Sequence, residues 1–458
     1  MGRHNYSTVL ILAAVVASPL VRAQRDPATP APHVSNGPGS AFRFTKDDLK
    51  LLNESNAIDN ALESKGLVLH DPALQAYLDA VGHRVLAGRP VPDKVTYRFF
   101  VLRDPEANAF SFANGSIYIK TGLLGLLKNE AQLASVLSHE SAHVYERHAY
   151  LENRDAAQKK LAMEIILAAA VWVPGGYAGW AAAIGAANVS SLLLNESIYG
   201  YSREKEQQAD SDGIAAMAAA GYNPHAMAAA FELLDADSKL EYQPKPAFYQ
   251  DHPKLQEREA PALEYADAHT PANAELGAEQ DYLNAVAPAI VSNVEDDLET
   301  RKPRSAVARA TRLVNAFPAN PEYQMLLGEA YRQLGAKTTE PTPEELKHRG
   351  EVNQRKQMLD MSEEQEQQKL AATPEGRAAL AQNQAAAEKL FLSVIQEQPD
   401  NAIAVRELGF LYQDEGRYSD AAQKYQDYLE LLPANSLDRY RIERRLAQCQ
   451  SRQPVETH

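Results

Sequence analysis

Apolar positions along this chain fall mostly at intervals of three and four, with one short exception. Lys46–Ser64 and Asp71–Leu86 have helical spacing, the second with Asp71 placed as N-cap and Pro72 at the first helical position. The period then drops to two. Tyr97–Leu102 and Ser116–Lys120 read as short strands, Phe110–Ala113 offers a further one, and Asn114-Gly115 supplies a turn. Helical spacing returns after Asn129, an N-cap with Gln132 three residues on. Leu133, Val136 and Leu137 form an apolar stripe, and neither proline nor glycine interrupts Glu130–Tyr150. Ser202 opens another helix that stops at Gly221, and Asn223-Pro224 starts the next, to about Ser238.

From about Pro271 the pattern becomes repetitive. Val405, Leu408, Gly409 and Tyr412, then Gly416, Tyr418, Ala421, Tyr425 and Pro433, follow the roughly 34-residue spacing of tetratricopeptide repeats. Leu327-Gly328, Tyr331 and Gly335 repeat its first half; Ala387, Phe391 and Pro399 repeat its second. A Glu/Gln/Lys-rich insertion near 336–382 separates these halves and reads as a solvated helix or a mobile arm. Ala306, Ala310 and Pro318 suggest an earlier second half, and Asn435–Gln450 a capping helix. Small residues at these places let helix pairs pack closely, and stacked pairs form a concave binding surface. The plainer alternative is a helical spacer.

The chemistry sits in the polar residues of two helices. Ser138–Arg147 reads SHESAHVYER, so His139, Glu140 and His143 make an H-E-x-x-H pattern. Residues four apart share a helical face. Two imidazoles thereby converge on one ion, as tetrahedral zinc requires. Glu140, next to the first histidine, is close enough to take a proton from a water polarised by that ion. A solvated helix that happens to carry two histidines is the alternative. Ser202–Gly213, SREKEQQADSDG, supplies the better candidate for a third ligand. Glu206 there completes a two-histidine, one-glutamate set with a fourth position left for water, and Asp210, one turn on, can accept the far N–H of a ligand histidine. The alternative is an acidic surface helix. His148 is set aside. The longer H-E-x-x-H-x-x-G-x-x-H pattern needs glycine at position 146 and histidine at 149, where Glu146 and Ala149 stand. On a continuous helix His148 also points away from the His139/His143 face.

Between these motifs Leu161–Leu194 is strongly apolar, but Trp172, Pro174, Gly175, Gly176 and Gly179 divide it. Each arm is shorter than the about 20 residues a bilayer span needs. It reads as a helical hairpin packed over the site, as an ordinary buried hairpin, or as a surface for peripheral membrane contact or hydrophobic clients. The whole chain has 458 residues, enough for two or more domains, and its 45% apolar and 23% charged residues are ordinary globular values. A net charge of −15 argues against nucleic acid or anionic lipid as the main partner. Cys449 is the single cysteine, which leaves no intrachain disulfide and no thiolate cluster. Arg3 and His4, the apolar run Val9–Val21 and Val21-Arg22-Ala23 form an export signal cut after Ala23; an uncleaved anchor is the alternative. The organisation expected is therefore a signal peptide at 1–23, a flexible linker at 24–44, a peptidase domain at 45–270 and a repeat domain at 271–458.

Together these residues resemble the HtpX/BepA-type gluzincin zinc metallopeptidases, and within them the periplasmic branch with C-terminal tetratricopeptide repeats. The resemblance is carried by Asn108–Leu124 (NAFSFANGSIYIKTGLL), Asn129–His143 (NEAQLASVLSHESAH), Glu206–Asp210 (EQQAD) and Asp251–Arg258 (DHPKLQER). It implies a mainly α fold with a small β-sheet, a zincin-type metallopeptidase domain followed by α-helical repeats. It implies one zinc ion per chain on His139, His143 and Glu206, Glu140 as general base, Asp210 behind the ligands, and His252 and Arg258 near the active site. His252 would either occupy the open metal position at rest or donate to the oxyanion; Arg258 would stabilise charge or pair with an active-site acid. Asp251 departs from the pattern, since a small hydroxyl residue is commoner there. The resemblance further implies an endopeptidase for unfolded or misassembled proteins, serving quality control or assembly of outer-membrane proteins in a bacterial periplasm. Its repeats would hold clients or the assembly machinery. A chaperone or adaptor with minor or latent proteolysis, and a scaffold around a structural zinc closed by four ligands, are the competing classes.

Overall fold

The computed structural model describes residues 42–154, 201–237, 255–299, 302–335, 369, 371–433 and 435–452. The expected signal peptide, the 161–194 segment, His252 with its loop and most of the 336–382 insertion lie outside these residues.

Helix α1 (Lys46–Ser64) opens with a capping box, in which Thr45 Oγ1 accepts from the Asp48 amide at 3.1 Å and Asp48 Oδ2 from the Thr45 amide at 2.7 Å. Helix α2 (Pro72–Leu86) starts as its sequence predicts, with Asp71 Oδ1 accepting from the Leu74 amide at 2.8 Å. Strands β1 (Arg98–Leu102), β2 (Ala109–Ser111) and β3 (Ser116–Lys120) form a sheet of order β1-β3-β2, with β1 parallel and β2 antiparallel to β3. Strand β2 is shorter than its apolar run predicts, because Phe112 and Ala113 already lead into the turn. Gly115 makes that turn at φ 94, where a Cβ would meet the Thr96 carbonyl oxygen at 2.7 Å. Asp59 ties α1 to the sheet, accepting from Arg98, Asn114, Ser116 and Tyr118 at 2.6–2.8 Å.

After the short α3 (Thr121–Leu126) comes α4 (Glu130–Tyr145), capped by Asn129 Oδ1 on the Gln132 amide at 3.0 Å. It is buried all round from Ala131 to Tyr145, more completely than a single apolar stripe predicts. The uninterrupted pattern to Tyr150 does not continue as one helix. Arg147 adopts φ 59, and α5 (His148–Arg154) leaves in a new direction. A left-handed non-glycine residue costs about 1–2 kcal/mol. The bend offsets it by burying Tyr150, whose hydroxyl donates to the Ala113 carbonyl at 3.0 Å, and by turning His148 inward. Helices α6 (Arg203–Ala219), α7 (His225–Asp237) and α8 (Leu255–His269) complete this half.

The second half is built of helix pairs: α9 (Glu279–Glu299) with α10 (Pro303–Ala316), α11 (Pro321–Gly335) with α12 (Pro374–Glu397), and α13 (Ala402–Asp414) with α14 (Tyr418–Leu431). Helix α15 (Asp438–Ser451) closes the stack. Gly328 lies against the Phe391 ring and Gly409 against the Tyr425 ring, where an added Cβ would come within 2.5 and 2.7 Å. The repeat glycines therefore admit an aromatic side chain from the paired helix. The last part of the expected insertion, from Pro374, belongs to α12 and is not solvated throughout, because Leu380 is buried and packs beside Gly335. One buried core runs from Leu74 through Tyr282, Val286 and Ile290 to Ala330, crossing residue 270. Tyr282 Oη donates to the Leu124 carbonyl at 2.8 Å and Arg312 to that of Leu127 at 2.6 Å, so the first repeat helices are seated on α3. No described helix is long and apolar enough to cross a membrane.

Candidate metal centre

Helices α4 and α6 cross where their side chains are smallest. Ala142 and Ala209 bury against each other with Tyr145, and a Cβ on Gly213 would stand 3.0 Å from the His139 amide nitrogen. Gly213 lies seven residues after Glu206 and three after Asp210, hence on the same face of α6. Close approach at this glycine is what delivers both acids to the histidines.

There His139, His143 and Glu206 gather, each at most 4% exposed. The Nε2 atoms of the histidines are 3.1 Å apart; Glu206 Oε2 is 3.6 Å from His139 Nε2, and its Oε1 is 3.4 Å from His143 Nε2. Tetrahedral ligation with bonds of about 2.0–2.1 Å places ligand atoms about 3.3 Å apart, and the three edges straddle that value. Two imidazoles and a carboxylate fit a divalent ion by chemistry as well as by spacing. Asp210 Oδ1 is 3.0 Å from His139 Nδ1. A carboxylate only accepts, so Nδ1 carries the proton and Nε2 keeps a lone pair, as a metal ligand requires.

Arg258, buried, forks onto Asp210 with Nε to Oδ2 at 2.7 Å and Nη2 to Oδ1 at 2.5 Å. Its Nη1 faces Glu206 Oε2 at 3.1 Å, close enough for an ion pair though outside hydrogen-bonding geometry. Of the two roles expected for Arg258, pairing with an active-site acid is the one its position supports. Burial would push the Asp210 carboxyl up, but the Arg258 charge and the bonds from Arg258 and His139 hold it well below the usual range. Burial likewise opposes the charge on Arg258, and Asp210 and Glu206 outweigh it.

Glu140 is buried, and the Ser111 hydroxyl of β2 donates to its Oε2 at 3.0 Å, linking the outer strand of the sheet to the helix. A cavity of about 330 Å³ lies beside the cluster, with Glu206, Asp210 and Arg258 in its wall and Ile214, Met227 and Tyr265 among its apolar lining.

His148 needs correcting. The bend at Arg147 brings it under the site, where it is 1% exposed and its Nδ1 lies 2.9 Å from His143 Nδ1. A helical wheel drawn through Tyr150 misplaces it, because the wheel assumes a straight axis. It supplies no atom to the His139–His143–Glu206 cluster, but it touches one of the three. Burial pushes its pKa down to about 4. Gln208 Oε1 meets its Nε2 at 3.3 Å, and Gln208 Nε2 donates to Glu146 Oε2 at 2.8 Å. Tyr201 stacks on His143 with ring centroids 4.0 Å apart. Ser111, Glu146 and Gln208 lie inside the motif stretches but were given no role there, and Tyr201 lies outside them.

A buried H-E-x-x-H helix preceded by a small sheet, with a glutamate returned from a downstream helix, is the architecture of a metallopeptidase. Residues 72–266 match the model of peptidase family M48, and residues 293–341 and 373–436 match a tetratricopeptide-repeat model. The chain thus carries a family M48 peptidase domain followed by tetratricopeptide repeats. It is 25% identical over 263 residues to the beta-barrel assembly-enhancing protease of Escherichia coli, covering 57% of this chain and 52% of that one. It is 30% identical over 183 residues to the mitochondrial metalloendopeptidase OMA1 of Schizosaccharomyces pombe, covering 40% and 50%. To the metalloprotease LoiP of Escherichia coli it is 25% identical over 230 residues, covering 49% and 84%. The chain spans about half the length of the beta-barrel assembly-enhancing proteases it matches.

Proposed function

We propose that this protein is an exported zinc-dependent endopeptidase that cleaves unfolded or misassembled envelope proteins, with a peptidase domain at 45–270 and a repeat domain at 271–458 that holds clients or assembly partners. The observation that carries the reading is the triangle of His139, His143 and Glu206, backed by Asp210 and Arg258. Zinc bound there supplies Lewis acidity, which makes water a nucleophile near neutral pH and polarises a carbonyl. His139 and His143 present Nε2, and Asp210 keeps the His139 proton on Nδ1. Glu140 accepts the proton of the attacking water and returns it to the leaving amine, while Ser111 fixes the rotamer of its carboxylate. The polypeptide lies along β2, the outer strand joined to Glu140 through Ser111, with main-chain hydrogen bonds holding it extended. An apolar substrate side chain fits the cavity beside Glu206. His252, outside the described residues, is proposed to cap the ion or to donate to the oxyanion.

The envelope role, in a bacterial periplasm and towards outer-membrane proteins, draws support from the name of the Escherichia coli relative and from the basic-then-apolar N-terminal pattern. The repeat stack favours a second activity, client holding without cleavage. One substitution separates the two. Glu140→Gln should keep about one zinc per chain by elemental analysis while cleavage of an unfolded protein falls by about 10²–10⁴-fold. Unchanged cleavage in that variant, or wild type that retains no zinc, would overturn the peptidase reading.

A further inference from the structure

We propose that Glu146, Gln208 and His148 form a directed hydrogen-bond relay that fixes the tautomer of His143 and so presents its Nε2 to the metal. This rests on the reading of His143 as a ligand. The direction is set at the far end. Glu146 is a carboxylate and only accepts, so the Gln208 amide nitrogen, 2.8 Å away, must face it. The Gln208 oxygen is then turned to His148 Nε2 at 3.3 Å, and that nitrogen must carry the proton. A neutral ring protonated at Nε2 has a lone pair at Nδ1. His148 Nδ1 therefore accepts from His143 Nδ1, 2.9 Å away, and the His143 proton is held on Nδ1. Its Nε2 is left with a lone pair, directed at the position shared with His139 and Glu206.

Reversing any link sets two donors or two lone pairs face to face, between buried rings at His143 and His148 and at half-buried contacts at Gln208 and Glu146. If the Gln208 amide turned over, its oxygen would meet the Glu146 carboxylate. If His148 were the other tautomer, its bare Nε2 would face the Gln208 oxygen, and His143 would carry its proton on the nitrogen needed by the metal. The two ligand histidines are thus oriented by different means: His139 directly by Asp210, and His143 through an imidazole and an amide. Gln208 and Glu146 are positioning residues and touch neither metal nor substrate. Gln208 projects from α6, two residues past Glu206, so the helix that brings the third ligand also orients the second.

The test uses the full chain with ¹⁵N-labelled histidine, metal-free and then titrated with zinc against a chromophoric chelator. Wild type should show His143 protonated at Nδ1 and His148 at Nε2 before any metal is added. Gln208→Leu should mix the His143 tautomers and weaken zinc binding by about 10–100-fold. The exchange Glu146→Gln with Gln208→Glu should recover the wild-type tautomer and most of the affinity, because an acceptor again faces His148 and a donor again faces position 208. Circular dichroism of each variant identifies loss of fold, and the exchange tests the relay even where Gln208→Leu folds poorly. The relay is overturned if metal-free wild type protonates His143 at Nε2, or if folded Gln208→Leu keeps both tautomer and affinity. Failure of wild type to bind zinc would overturn the ligand reading instead, and the metal-free tautomers would still decide the relay.

Discussion

Two buried arginines, one in each half of the molecule, solve similar electrostatic problems differently. Arg258 forks onto Asp210 and faces Glu206; Arg332 in α11 forks onto Glu329 at 2.7 Å and reaches Asp414 at 2.8 Å and Glu407 at 3.5 Å. Each stands among more carboxylates than its own charge neutralises, and in the second cluster Arg406 also donates to Glu407 at 2.8 and 3.0 Å. Around Arg258, among the described residues, Glu140, Glu206 and Asp210 bring three negative charges against one positive when ionised, an excess of two. Around Arg332 the excess is relieved by protonation. Burial and the neighbouring Glu329 push the Glu407 carboxyl up to about 7, while Arg332 outweighs burial and keeps Glu329 below its ordinary value. Near Arg258 the pairing runs the other way, with Asp210 held ionised and both histidine Nε2 atoms aimed at one point. An excess of two charges beside converging lone pairs is suited to a dication. An excess beside arginines alone is suited to a proton.

Removing the metal should break this comparison most sharply. Chelation leaves two uncompensated negative charges in a buried site, so the peptidase half should melt lower and activity should vanish, with recovery on adding zinc. At zinc concentrations about 1,000 times Kd the linkage amounts to about 4 kcal/mol. Calorimetry with and without chelator checks it; equal transitions in both would mean that no ion contributes to this centre. Next in size is Gly213→Val. Its side chain would press on the backbone of His139, which cannot swing aside as a flexible side chain would. Overpacking costs about 1–3 kcal/mol, and Glu206 should be carried away from the histidines. The variant should lose zinc affinity more than stability, whereas a wild-type affinity would show that the crossing does not place the third ligand.

What was legible beforehand follows from where the determinants lie. Caps such as Asp71 and Asn129 act within three residues, so the starts of α2 and α4 were found correctly, whereas Ser202 precedes α6 without a side-chain cap bond and α15 starts at Asp438 rather than Asn435. The meeting of His139, His143 and Glu206 was readable because few side-chain types suit a metal and their spacing sets a helical face, and the repeat glycines because they match aromatic partners at a fixed period. The bend at Arg147 was not readable. Arginine has no preference for positive φ, and the energy that holds it there comes from Tyr150 and His148 packing on distant segments. With the bend missed, the helical face of His148 was wrong, and the Gln208–Glu146 contact across two helices had no local mark. The start of α12 inside a Glu/Gln-rich run was hidden for the same reason, since Leu380 is held by Gly335 rather than by its sequence neighbours.

The smallest expected effect sharpens the other side of the comparison. Glu407 has a folded pKa of about 7 against an ordinary 4.5. A raised carboxyl pKa contributes stability that is fully present below 4.5 and is lost as pH climbs through 7. Glu329 is shifted the opposite way, so its contribution persists above its ordinary value and is lost only in acid. Between about pH 5 and pH 8 Glu407 therefore leads the trend, with Asp414 also pushed up by burial, and the repeat half should soften as pH rises. Glu407→Gln keeps the shape and a hydrogen-bonding group but no longer acquires a charge. Its melting temperature should exceed that of wild type at pH 8, by the shift that about 1–3 kcal/mol of stability produces, and should approach it at pH 5. A variant with the pH dependence of wild type would place the titrating group elsewhere, and the two arginine clusters would then differ in more than the cation they attract.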